Sequence, residues 1–306
     1  MNPLPIIFIH KGDSFYLKYA LINAKKFNPD SRIILLGENI TKYPDFIEYY
    51  PISKYNNSAL AFRKIYKHMS IVPEEIERFC FERWFLLDEF LTKNRIKKCL
   101  TLDSDVLLYE NVSEGIKKFN SFDFTLSNKS SGGFMFINNS KSLSDVVKYM
   151  YLSYSSKKLL FNLELDWKKL KAINGGGIND IKLFGKYFGL GRSRIGELDD
   201  IINDSTYDAG ILIEQNFVME GKIKKVVFEN GIPYGYLKIS LKKIRFCCLH
   251  LQGPAKFYMK CFSGGKIGLL DKSRIKLMMW LRDSFGGLLT PNLRDFAKSM
   301  IAKLGF

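Results

Sequence analysis

The stretch Cys99-Leu100-Thr101-Leu102-Asp103-Ser104-Asp105-Val106-Leu107-Leu108 decides how the chain reads. Four apolar or β-compatible residues are too few for a helix and suit a strand covered on both faces. The strand stops at two carboxylates spaced i and i+2. On extended backbone these project to one side and can share a hard cation, while Ser104 points elsewhere. Two oxygen ligands suit Mg²⁺ or Mn²⁺, and such ions keep coordination positions free for substrate phosphates. A bare Asp-x-Asp is common in solvated turns. Here it follows an apolar strand and precedes Val106-Leu107-Leu108, which puts it at a strand end, where open α/β sheets bind ligands. Burying both carboxylates uncompensated would cost several kcal/mol, so a metal or a basic partner is required.

Working outward, residues 4–9 read as a first strand and residues 14–27 as an amphipathic helix broken by Asn28-Pro29-Asp30. Residues 33–36 form a second strand ending at Gly37, which completes a parallel βαβ unit. Pro73 followed by Glu74, Glu75 and Glu77 opens another helix, with Ile76, Phe79, Cys80, Leu87, Phe90 and Leu91 as its expected buried stripe. A basic loop over residues 93–98 then leads into the strand at Cys99. Further strands are expected at 122–126, 133–137, 225–228 and 244–251, with the second half more irregular. Arg63, Lys64, Lys67 and His68 read as a basic, solvated helical stretch. The expected organisation is an α/β catalytic domain over residues 1–262 and a basic amphipathic helical extension over 263–306, two helices divided by Gly286-Gly287 and Pro291.

The chain has 306 residues, 46% hydrophobic and 14% aromatic, enough for an enzyme-sized core. Cys80, Cys99, Cys247, Cys248 and Cys261 lack metal or redox spacing and read as reduced core residues. The start of the sequence has no signal-peptide pattern, and no run approaches about 18 uncharged apolar residues. A cytoplasmic protein is expected, and Asn138-Asn139-Ser140 is then a chance sequon. The formal charge of +16 attracts polyanions. It is dispersed and accompanied by no nucleic-acid-binding motif, so no nucleic-acid substrate is expected. Residues 288–306 set Arg294, Lys298 and Lys303 around an apolar face with Phe296 and Met300, which suggests peripheral contact with the inner face of a membrane.

Over most of residues 4–260 the sequence resembles the GT-A-fold nucleotide-sugar transferases, in particular the retaining family that contains glycogenin and the bacterial lipopolysaccharide galactosyl- and glucosyltransferases. The matching motifs are Phe8-Ile9-His10-Lys11-Gly12-Asp13, Phe81-Glu82-Arg83-Trp84, Leu102-Asp103-Ser104-Asp105-Val106 and the small-residue strand beginning Gly132-Gly133-Phe134. The last is His250-Leu251-Gln252-Gly253-Pro254-Ala255-Lys256, similar to the family's H-x-x-G-x-x-K. The resemblance implies a Rossmann-like, mostly parallel mixed sheet flanked by helices. It implies Mn²⁺ or Mg²⁺ held by Asp103, Asp105 and His250, and a donor, a UDP-sugar in the family's pattern, contacted by His10, Lys11, Arg83, Asp103, Ser104, Gly132, Gly133, Gly253 and Lys256. It also implies a retaining hexosyltransferase acting on a saccharide, lipid-linked or protein acceptor in surface polysaccharide or lipopolysaccharide synthesis. Phe257-Tyr258 departs from the family's proline and tryptophan. For the acidic sugar-binding segment Asn179-Asp180 and Tyr207-Asp208 compete, so the expected catalytic group is Asp180 or Asp208, assisted by Lys256.

Two other classes compete with this reading. One is a basic membrane- or polyanion-binding protein on a degenerate transferase fold. The other is a haloacid-dehalogenase-type phosphatase, which also places Asp-x-Asp after a strand; that family prefers the motif near the N-terminus with a threonine two residues on, where this chain has Leu107.

Overall fold

The computed structural model describes residues 3–173, 175–264 and 273. The chain opens with β1 (Ile6–Lys11), α1 (Leu17–Phe27), β2 (Ile33–Glu38) and β3 (Ile47–Pro51), and continues through α2 (Asn57–Arg63) and the long α3 (Glu74–Lys93). Next come β4 (Cys99–Leu102), β5 (Val106–Leu108), α4 (Val112–Gly115), β6 (Phe124–Leu126) and β7 (Phe134–Ile137). Helices α5 (Ser140–Ser155), α6 (Lys157–Ala172) and α7 (Asp180–Phe188) follow, then β8 (Ile195–Glu197) and β9 (Ser205–Tyr207). A short hairpin, β10 (Met219–Glu220) and β11 (Ile223–Lys224), precedes β12 (Val227–Glu229), β13 (Ile232–Tyr236), β14 (Lys243–His250) and α8 (Met259–Ser263).

The main sheet has seven strands in the order β3-β2-β1-β4-β7-β6-β8. β3, β2, β1 and β4 run parallel, and β7 is antiparallel to both of its neighbours. This is the mixed, mostly parallel, helix-flanked sheet expected from the sequence. β1 and β2 are fully apolar over Ile6–Phe8 and Ile33–Leu36 because helices or loops cover both faces. Leu17, Ala20, Leu21 and Ala24 recur at helical spacing on α1 and pack on one face; Phe81, Trp84, Phe85, Phe90 and Leu91 of α3 pack on the other.

A second sheet, β12-β13-β14-β5 with β9 beside β14, stands next to the first. The two sheets are joined where β4 ends and β5 begins. Asp103-Ser104-Asp105 is a turn rather than the end of one extended strand, closed by the Val106 N–H donating to the Asp103 carbonyl at 3.1 Å. The Asp103 N–H donates to the Gly133 carbonyl at 2.8 Å on the β7 side, and the Leu251 N–H donates to the Asp105 carbonyl at 2.8 Å after β14.

Several local expectations are corrected. The first helix starts at Leu17, since residues 14–16 form a turn. Ile76 is 58% exposed and lies off the buried stripe of α3. His68 sits in a loop after α2, hydrogen-bonded to the Tyr66 hydroxyl at 3.2 Å, not on a helix. The region read as irregular holds two 16-residue helices, α5 and α6. The 263–306 extension, with its membrane-contact reading, lies almost wholly outside the described residues. Cys99, Cys247 and Cys248 are buried, and all five cysteines are free thiols, as expected. No described helix is long and apolar enough to cross a membrane.

Asn28, which the sequence marked only as a helix breaker, is a buried clamp. Its amide donates to the carbonyls of Ala24 and Glu110 at 3.2 and 3.1 Å and accepts from the Val112 N–H at 2.8 Å. Asn28→Ala leaves these backbone groups unpaired and is expected to cost about 2–3 kcal/mol in denaturant unfolding; an unchanged midpoint would remove the clamp from the account.

Candidate active site

Three side chains converge at the junction of the two sheets. The β5–β14 ladder pairs Val106 with His250, Leu107 with Leu249 and Leu108 with Cys248, which sets His250 directly beside the aspartate turn. Ligand atoms of Asp103, Asp105 and His250 all lie within 4.8 Å of one another. Two carboxylates and one imidazole form a donor set suited to a divalent cation, Mn²⁺ tolerating the nitrogen more readily than Mg²⁺. Room is kept for it by a missing side chain. A Cβ on Gly133 would lie 2.9 Å from His250 Cε1 and 3.2 Å from Asp103 Oδ2. The residues therefore fit the metal that the sequence implied.

Basic partners hold these carboxylates in the structure. His250 Nε2 lies 3.4 Å and Lys256 Nζ 2.5 Å from Asp105. Burial opposes the Asp105 charge, but these two partners hold its carboxyl well below the usual carboxylate range. Burial also works against charge on His250, yet contact with Asp105 pushes the imidazole up to about 9. Asp103 is paired with Arg83; burial raises its carboxyl, with Arg83 opposing. Arg83 reaches onward with its second terminal nitrogen to Asp180 at 2.9 Å. Arg83 thus makes no i,i+4 ion pair along the surface of α3. That role falls to Arg78, paired with Glu74 and Glu82.

Both aspartates that competed for the sugar-side role flank the trio, and both are engaged by the protein. Asp180 opens α7 beside the capping Asn179. Its Oδ2 accepts from Arg83 and from the Trp84 indole, each at 2.9 Å, and its Oδ1 from the Ile181 N–H. Asp208 accepts the backbone N–H of His250 at 3.1 Å and pairs with Lys224 at 2.5 Å. Lys224 is fully buried and also donates to Gln215 at 2.9 Å. Asp180 therefore leads to Asp103 through Arg83, and Asp208 underpins His250.

The remaining candidates have other partners. His10 is buried; its Nδ1 meets the Ser104 hydroxyl at 2.8 Å and its Nε2 the Ser14 hydroxyl at 3.0 Å, and burial lowers its basicity. Ser104 thus points away from the carboxylates and ties the aspartate turn to β1. Lys11 is exposed and pairs with Glu38 at 2.7 Å. Gly132 lies against Trp84, where a Cβ would come within 2.5 Å of the indole. Gly253 has a φ of +58°, a turn conformation that side chains resist, and it reverses the chain so that Lys256 returns to Asp105 and lies 5.3 Å from the Tyr16 ring centroid.

Sequence reasoning missed Lys224, Trp84 and Gln252. Gln252 accepts the Ile211 N–H at 3.1 Å and fills the space left by Gly210. Lys224 sits in a two-residue strand with no local pattern to distinguish it from the other lysines. Trp84 was visible beside Arg83, but its bond to a residue 96 positions away was not.

No protein-family model matches the chain, and no curated protein matches it. Among solved structures it is similar to the galactosyltransferase LgtC in complex with donor and acceptor sugar analogs, with a TM-score of 0.46 and 13% identity, covering 89% of this chain and 99% of that one. It is also similar to mouse xyloside xylosyltransferase 1, with a TM-score of 0.39 and 10% identity over 64% of this chain and 85% of that one. A third is the glycosyltransferase GlyE of Streptococcus pneumoniae, with a TM-score of 0.34 and 13% identity over 65% and 46% of the respective chains.

Two substitutions separate the site's layers. Gly133→Ala is expected to fold normally and to weaken Mn²⁺ binding by about tenfold or more in a calorimetric titration, because its methyl crowds His250 and Asp103. Lys224→Met strands the buried Asp208 and is expected to cost about 3–5 kcal/mol of stability. Full metal affinity in the first, or full stability in the second, would contradict the arrangement.

Proposed function

We propose that this chain is a divalent-metal-dependent glycosyltransferase that moves a sugar from a nucleotide-diphosphate donor, a UDP-hexose in the family's pattern, to a saccharide, lipid-linked or protein acceptor with retention of configuration. The observation that carries the reading is the convergence of Asp103, Asp105 and His250 at the strand-end turn with the Lys256 ammonium beside them. Carboxylate and imidazole ligands next to a lysine ammonium suit a diphosphate, a leaving group that gathers negative charge in a small space.

Asp103, Asp105 and His250 would hold Mn²⁺ or Mg²⁺, which supplies Lewis-acid stabilisation of the departing diphosphate. Lys256 adds a second positive charge at the same place. Arg83 keeps Asp103 and Asp180 in fixed relation, so the carboxylate assigned to the sugar is positioned by the residue that also orients a metal ligand. Asp208 holds the backbone of His250 and acts as a positioning residue in this reading. His10 and Ser104 brace the turn at the donor side, while Gly132, Gly133 and Gly253 keep the backbone close to the donor. Lys11, at the end of β1, is assigned to the donor by the family resemblance alone. A role in surface polysaccharide or lipopolysaccharide synthesis rests on the family resemblance alone.

The test is a melting and donor-hydrolysis panel of UDP-, GDP- and CDP-sugars with Mn²⁺, Mg²⁺ or chelator. One donor at about a hundred times its Kd should stabilise the protein by about 3 kcal/mol, and only with metal. Asp105→Ala should abolish that shift and lower turnover by at least about a hundredfold. A donor response that ignores chelator, or full activity in the variant, would sink the proposal.

A further inference from the structure

Helix α6 is poorly buried for a helix of its length. Of Lys157–Ala172 only Leu163 is fully buried, with Leu159, Trp167 and Leu170 half-buried around it. Helical periodicity places Phe161 and Leu165, one turn apart, on the opposite, outward face. There Phe161 is 57% exposed and Leu165 38%. Lys157 and Lys168 fall on one side of this apolar pair and Lys158 and Lys169 on the other, all four exposed, and Lys171 follows near the end. The helix's two acids are already neutralised from outside, Glu164 by Lys67 at 2.6 Å and Asp166 by Lys186 at 2.6 Å. The five lysines have no ion-pair partner among the described residues. Ile173, 75% exposed, follows the helix on the far side of the Lys158 and Lys169 row. Past it the Ile71 N–H donates to the Gly176 carbonyl, and Ile71, Val72 and Ile76 are exposed as well.

We propose that the outward face of α6 is a docking surface for an anionic lipid bilayer, with Phe161 and Leu165 entering the interface and the flanking lysines meeting lipid phosphates. The charge arrangement selects this occupant. A second copy of the chain would set lysine rows against lysine rows. A nucleic acid would use the lysines but leave the apolar stripe in water, whereas a helix lying in a headgroup layer needs an apolar centre between cationic margins. Seven residues after Ile173 the chain reaches Asp180, the partner of Arg83. The proposal does not depend on which reaction the candidate site performs.

The experiment is co-sedimentation of the full chain with phosphatidylcholine vesicles, with and without phosphatidylglycerol, at low and high salt. Binding is expected only to the anionic vesicles and is expected to fall with salt. Replacing Lys157, Lys158, Lys168 and Lys169 with Gln should weaken it by about fivefold per lysine. Phe161→Ser with Leu165→Ser should weaken it at least tenfold while leaving the melting temperature unchanged, because both side chains face solvent; should that pair misfold, the glutamine variant carries the test alone. Unchanged binding in the folded variants would assign any membrane contact to another segment and overturn the proposal. Stripe-dependent dimerisation without lipid binding, or duplex DNA binding indifferent to the Phe161 and Leu165 changes in place of lipid binding, would overturn it too.

Discussion

Three ladder pairs between β5 and β14 hold the candidate site together. Asp103 and Asp105 are neighbours in sequence, but His250 is about half the chain away, and it reaches them because Val106 and His250 are paired residues on adjacent strands. The backbone bonds from Asp103 to Gly133 and from Leu251 to Asp105 pin the turn to both sheets. A shift of one residue in that pairing would turn His250 to the opposite face. The apolar run Cys247–Leu249, buried on all sides, resists such a slip because it would have to re-pack at the core.

Charge is then arranged around this junction in two directions. Towards α3 and α7, Arg83 binds Asp103 and Asp180 together. Towards the second sheet, Asp208 holds His250 from below and is itself matched by the buried Lys224. Lys256 closes the open side over Asp105. Each of these carboxylates has a cationic partner within the protein, which offsets the cost of placing its charge at a buried junction.

The parallel half of the fold was legible from the sequence because its strands are continuous apolar runs and its helices open and close with strong signals, Pro73 with three glutamates and Asn28 with Pro29. The region after Ile137 was not. Helix α6 sets five lysines around a weak apolar stripe and buries only Leu163, so periodicity gave little to read there, whereas α5 does carry a regular stripe, Leu143, Val146, Val147, Met150 and Tyr154, that the sequence reading passed over. Within the candidate site, Asp103 and Asp105 were legible from their strand-end spacing and His250 and Lys256 through the family resemblance, whereas Lys224, Gln252 and the indole of Trp84 were not, since each acts through a partner distant in sequence.

Family resemblance alone singled out His250 and Lys256; the sequence by itself determined the α/β class and the placement of two carboxylates at a strand end. These follow from local chemistry: apolar runs, helix starts and the short reach between adjacent side chains. Only the tertiary structure decided that the aspartates lie on a turn between two sheets, that Arg83 joins Asp103 to Asp180, and that Asp208 faces Lys224 and the His250 backbone. Those contacts depend on strand register and on which buried charges find each other, and both are settled by packing between segments far apart in the chain.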